Sequence, residues 1–99
     1  MMDSAILQYM QAMKVLVEGK VQGVYFRVSA AKKAVSLGLA GWVRNLDDGK
    51  VELLIQGSSS ELEELLAWCE KGPVLAKVVK VYHEKAEFDD KIVGFTVLK

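Results

Sequence analysis

The repeat of apolar and polar positions changes several times along this 99-residue chain, and each change marks an element. "MKVLVEG" is β-branched and apolar and stops at a glycine, the composition of a first strand. From Phe26 to Leu37 the period lengthens: Phe26, Ala30, Ala34 and Leu37 follow helical spacing, and Gly38 supplies a stop. "LAGWVRNL" returns to strand composition, and "DDGK" reads as an Asp-Gly hairpin turn. "KVELLIQG" then alternates Val51, Leu53 and Ile55 with Glu52 and Gln56, as expected of a strand with one buried face. A second helix follows. Ser60 and Glu63 have the spacing of a capping box, Leu62, Leu65, Leu66 and Cys69 form one apolar stripe, and Glu61, Glu63 and Glu64 turn to water. "KGP" ends this helix, "AKVVKVYHE" reads as a fourth strand, and "GFTVL" as a short last one.

The order β-α-β-β-α-β with an added terminal strand predicts an α+β fold. It is the ferredoxin-like split βαβ sandwich, a mostly antiparallel sheet with two helices on one face. Residues 1–12 read as a leader and 13–99 as one domain. Ile6, Met10 and Met13 are spaced to permit a short amphipathic helix in the leader. A frayed segment fits equally, because the core pattern starts near Met13.

Composition narrows the classes open to such a domain. Apolar residues make up 52% of the chain, enough for a single core without a metal or disulfide. The lone Cys69 has no internal partner, which points to a reducing compartment. Thirteen basic residues balance thirteen acidic ones, so attraction of the whole molecule to nucleic acid or an acidic membrane is excluded and any anion recognition must be local. The N-terminal stretch lacks a basic region followed by a long apolar run, and no stretch is long enough to cross a bilayer. A cytoplasmic location is expected.

The local candidate is "GKVQGVYFR", residues 19–27, at the junction of the first strand and first helix. The first N–H groups of a helix have no intrahelical partners, and the dipole there favours an anion. Gly19 and Gly23 permit positive φ, so the chain can curl until successive N–H groups converge. Val21, Val24 and Phe26 are apolar and suited to anchor the loop, and Arg27 adds a planar fork matched to two phosphate or carboxylate oxygens. An ordinary turn with a solvated arginine has the same composition. No Gly-Lys-Ser/Thr follows, and the spacing is not a dinucleotide fingerprint, so a nucleotide site is disfavoured. Asn45 closes the strand before the Asp-Gly turn. Its amide suits holding a water, and also suits assisting the turn.

"GKVQGVYFR", "LGLAGWVRN", "DGKVE", "QG", "KGPVLAKVVKV" and the closing "GFTVL" together closely resemble the acylphosphatase family, from Lys14 to Leu98. The resemblance implies a ferredoxin-like enzyme that hydrolyses the carboxyl-phosphate bond of acyl phosphates to a carboxylate and inorganic phosphate. It implies that Arg27 binds phosphate and Asn45 positions the attacking water. Lys20, Val21, Gln22, Gly23, Val24, Tyr25 and Phe26 would form a backbone cradle. Two departures stand out: Ala30 where many members carry threonine, and Leu46 where some carry a hydroxyl residue.

Other titratable residues read as structural. His83 lies on the fourth strand, Asp47 and Asp48 fit the hairpin turn, and Glu61, Glu63, Glu64 and Glu70 fit a solvated helix face. Cys69 lies on the apolar stripe, and Trp42 and Trp68 read as packing residues. No His, Cys and carboxylate cluster has metal-ligand spacing, so neither metal nor other cofactor is expected. The expected partner is a small acyl phosphate met by a monomer, with no nucleic acid and no membrane. The rival from another class is a non-catalytic anion-binding module on the same fold. An RNA-binding sheet is disfavoured, since "KVLVEG" and "KVELLIQG" carry neither exposed aromatics nor a basic surface.

Overall fold

The computed structural model describes residues 9–99. Its strands are β1 (Met10–Lys20), β2 (Ala40–Asn45), β3 (Val51–Ser58), β4 (Lys77–Ala86) and β5 (Phe95–Val97). Its helices are α1 (Phe26–Ser36) and α2 (Ser59–Lys71). The sheet order is β4-β1-β3-β2-β5. All neighbours are antiparallel except β2 and β5, which run parallel with Gly41 opposite Phe95 and Val43 opposite Val97. This is the ferredoxin-like α+β arrangement that the element order predicts.

The core lies between the sheet and the helices. Val15, Val17, Val43, Val51, Leu53 and Ile55 point to it from the strands. α1 contributes Phe26, Ala30 and Ala34, and α2 contributes Leu62, Leu65 and Cys69. Alanines at two buried α1 positions let that helix approach closely, and fully buried Ala30 brings no hydroxyl needing a partner. Phe26 joins the two helices, its ring 5.4 Å from that of Trp68 at a tilt of 60°. Tilted aromatic pairs of this kind are worth about 0.5–1.5 kcal/mol beyond the area they bury.

Three local expectations differ from the structure. β1 starts at Met10 rather than near Met13, because β3 runs to Ser58 and Met10 pairs with it. Met10 and Met13 are therefore strand residues, not part of a leader helix, while Ile6 lies outside the described residues. The second difference concerns Glu52 and Gln56 on β3, which are buried although the alternation predicts exposure. Arg44 and Lys14 from the flanking strands cover Glu52, and Gln56 exchanges hydrogen bonds with the main chain of Asp89. The third is the cap of α2. It uses Ser58 and Glu61 rather than Ser60 and Glu63, with Glu61 Oε1 accepting from the Ser58 N–H at 3.2 Å and from Ser58 Oγ at 2.6 Å. β3 passes into α2 without a loop, so the last strand residue becomes the cap.

One irregularity aims the end of β1. Pairing with β4 shifts between Glu18 and Gly19, where Gly19 takes φ 134°. A Cβ there would stand 2.2 Å from the Lys77 carbonyl oxygen. The bulge bends β1 out of the ladder and into the loop that leads to α1.

Candidate active site

The loop between β1 and α1 is held from below by its apolar side chains. Val21 and Phe26 are 1% exposed and Val24 is also buried, so the main chain rather than the side chains lines the upper surface. Gly23 takes φ 75°. Tyr25, the residue before α1, takes φ 65° and ψ 22°, a left-handed conformation that costs a non-glycine residue roughly 1–3 kcal/mol. A left-handed residue followed by right-handed helical ones turns consecutive N–H groups toward one point. The first turn of α1 has no side-chain cap and no acidic residue. Its opening intrahelical bond runs from the Ser29 N–H to the Tyr25 carbonyl, so the N–H groups ahead of Ser29 face outward with the positive end of the helix dipole.

Arg27 occupies that first turn and is half-buried. Its Nη1 donates to the Leu98 carbonyl oxygen at 2.6 Å, which ties the guanidinium to the segment following β5. The ion pairs among the described residues use Lys14, Lys33, Arg44 and Lys50 as cations, so none of the described carboxylates pairs with Arg27. A guanidinium has five N–H donors, and the main-chain tether occupies one.

Asn45 is the last residue of β2, opposite Val51. It lines one cavity of about 300 Å³ with Val21, Gly23, Tyr25, Phe26, Arg27 and Val28. The fold thus brings the two predicted site residues together across the loop. The hairpin turn is closed by other groups: Leu46 N–H to the Lys50 carbonyl, Gly49 N–H to the Leu46 carbonyl, and Lys50 N–H to Asp48 Oδ1. Of the remaining loop positions, Lys20 ends β1 opposite Lys77 and Val24 is buried beneath the cavity, while the Tyr25 side chain is 74% exposed.

Gln22 does more than the family resemblance implies, which is a backbone role alone. Its Nε2 donates to the Leu46 carbonyl at 2.7 Å and to the Lys50 carbonyl at 3.0 Å. These acceptors are 24 and 28 residues away, so nothing local in the sequence marks the contact.

The other titratable candidates stand apart from this cavity. Burial, then the Glu70 charge, pushes the Cys69 thiol up to about 12, which removes the thiolate needed of a nucleophile. The Lys50 backbone N–H and then its ammonium hold the Asp48 carboxyl below its ordinary value, as befits a turn carboxylate. His83 is exposed on the edge strand β4. Among the described residues no three His, Cys, Asp or Glu side chains gather closely enough to hold a metal ion. A larger hollow of about 530 Å³ lies on the sheet face opposite the helices, lined by Lys14, Leu16, Lys50, Glu52, Tyr82, His83 and Glu84. Lys14 is spent there on Glu52 and Lys50 on Asp48. Of these two, the smaller cavity joins Arg27 to the free first turn of α1, the arrangement better suited to an anion.

Among the described residues no helix is long and apolar enough to cross a membrane. The acylphosphatase family pattern matches residues 13–97. The chain is 48% identical over 90 residues to an acylphosphatase of Methylococcus capsulatus, covering 91% of this chain and 98% of that one. Among solved structures it is similar to an acylphosphatase from Coxiella burnetii, with a TM-score of 0.91 and 38% identity over 97% of this chain and 100% of that one. It is also similar to an acylphosphatase from Bacillus subtilis, with a TM-score of 0.86 and 30% identity over 90% of this chain and 99% of that one. The chain belongs to the acylphosphatase family.

Proposed function

We propose that this protein hydrolyses the carboxyl-phosphate bond of acyl phosphates, releasing a carboxylate and inorganic phosphate. The observation that carries the reading is one cavity shared by three things: an arginine with no carboxylate partner among the described residues, the free first turn of α1, and Asn45. An acyl phosphate is a mixed anhydride whose carboxylate leaves without needing a proton, so no general acid is required. The protein has to hold the phosphoryl oxygens, stabilise their changing charge and direct a water in line.

In this reading the N–H groups around Gly23 to Arg27 and the free donors of Arg27 bind the phosphoryl oxygens. Fixed donors of this kind need no reorganisation as charge shifts. The Leu98 tether restrains the guanidinium and leaves its other N–H groups available. Asn45 accepts from and donates to the attacking water, whose proton passes to a phosphoryl oxygen of the substrate. Arg27 and the N–H groups supply the charge stabilisation, so turnover is expected to persist in chelator. The reading takes the protein as a monomer that acts on a small molecule in the cytoplasm.

Release of phosphate from benzoyl phosphate and acetyl phosphate, with chelator present, tests the proposal. Folded protein that releases none above background overturns it. Phosphate binding without turnover would instead establish a non-catalytic anion-binding module.

A further inference from the structure

We propose that the Gln22 side chain is a positioning residue for the reaction: it sets the distance between the N–H cradle and Asn45. The inference rests on the hydrolytic reading above. Its basis is the pair of bonds from Gln22 Nε2 to the Leu46 and Lys50 carbonyls. The Lys50 carbonyl also receives the Leu46 N–H at 2.8 Å, so the amide of Gln22 sits across the mouth of the hairpin and braces both of its strands. A primary amide has two N–H donors, and each meets its own acceptor here.

Gln22 lies between Val21 and Gly23, which line the cavity, and Leu46 directly follows Asn45, which lines it from the other side. One side chain therefore spans from the anion-binding loop to the residue next to the water-holding amide. Among the described residues these two bonds are the hydrogen bonds between the loop and the hairpin. The hairpin contributes only main-chain oxygens, because Leu46 carries no polar side chain. Gln22 is half-buried, and its acceptors would lose partners if the amide were removed. The consequence for chemistry is geometric. The water must meet phosphorus in line, and a displacement of about 1 Å can cost about 10²-fold in rate.

The test compares wild type, Gln22→Met, Asn45→Ala and the double variant for kcat, competitive phosphate inhibition and thermal midpoint. Methionine keeps the length of the side chain and removes both donors. If Gln22 acts through Asn45, Gln22→Met lowers kcat by about 10- to 100-fold while the phosphate inhibition constant moves by less than about three-fold. In the Asn45→Ala background the same substitution then lowers kcat little further, although its effect on the thermal midpoint persists. A merely structural strap would give the opposite: an unchanged kcat in folded Gln22→Met, or a loss that multiplies fully with that of Asn45→Ala. Either result overturns the inference.

Should Gln22→Met not fold, Gln22→Glu carries the test. Its carboxylate faces two carbonyl oxygens at high pH and, once protonated, donates to one of them, so kcat should rise as pH falls through the introduced titration. A profile parallel to that of wild type overturns the inference. An inactive wild type overturns the hydrolytic reading and this inference with it, whereas an active wild type with additive variants overturns the inference alone.

Discussion

The two helices of this fold begin in opposite ways. α2 is closed from within: Glu61 accepts from the Ser58 N–H and hydroxyl, and an acidic side chain occupies the positive end of the dipole. α1 has no side-chain cap and no acid in its first turn, and it starts from a left-handed tyrosine with an arginine two residues on. The first arrangement satisfies the Ser58 donors from within the helix; the second leaves the N–H groups of its first turn open. The arginines repeat the lesson. Arg44 is committed to Glu52 at 2.6 Å and lies 5.0 Å from the Trp42 ring, whereas Arg27 donates to one main-chain oxygen and pairs with none of the described carboxylates. Function follows from what the surrounding structure leaves unsatisfied, not from residue type.

The comparison can be broken most severely at Arg27. Arg27→Ala should lower turnover by about 10²–10³-fold and weaken phosphate inhibition. Arg44→Ala should leave turnover nearly unchanged and instead cost about 1–3 kcal/mol in denaturant unfolding, because buried Glu52 loses its main partner. Similar kinetic losses in both variants would erase the distinction. Asn45→Ala should lower kcat by about 10- to 100-fold and leave phosphate inhibition largely intact. Abolished phosphate inhibition would show that Asn45 holds the anion and not the water.

A smaller and more pointed effect comes from making α1 resemble α2. Val28 is the third residue of α1, 60% exposed, and stands where Glu61 stands in α2. Val28→Glu offers α1 an internal acceptor for its first-turn donors. It should weaken phosphate inhibition by about ten-fold and raise stability by a few tenths of a kcal/mol, about the size of a surface helix-dipole term. Unchanged inhibition would mean that these donors do not bind the anion. The reverse edit, Glu61→Ala, opens α2. It should cost about 1 kcal/mol of stability and leave turnover at the wild-type level, checked by thermal melts alongside the hydrolysis assay.

The legibility of these features in the sequence divides along the same line between local and distant causes. Strand and helix identities depend on short-range repeats, and "GKVQGVYFR" carries its glycines, anchors and arginine within one stretch. Gln22 carries no such mark, since its acceptors are main-chain atoms brought near by the β1–β3 pairing. Glu52 and Gln56 fit an exposed alternation until the flanking chain covers them. The serine run at 58–60 with glutamates at 61, 63 and 64 offers two capping registers, and the end of β3 selects between them.

Gly19 has a consequence for how this loop can change over generations. The atoms that a Cβ would strike are main-chain ones, the Lys77 carbonyl oxygen at 2.2 Å and the Val79 nitrogen at 2.8 Å. At Gly57 the nearest obstacle is a side-chain atom of Leu39, which a smaller residue at 39 would remove. No exchange of side chains elsewhere removes a peptide group. Descent can therefore reach a larger residue at position 57 through a compensating pair of mutations, while the approach to position 19 stays closed unless β4 itself is rebuilt.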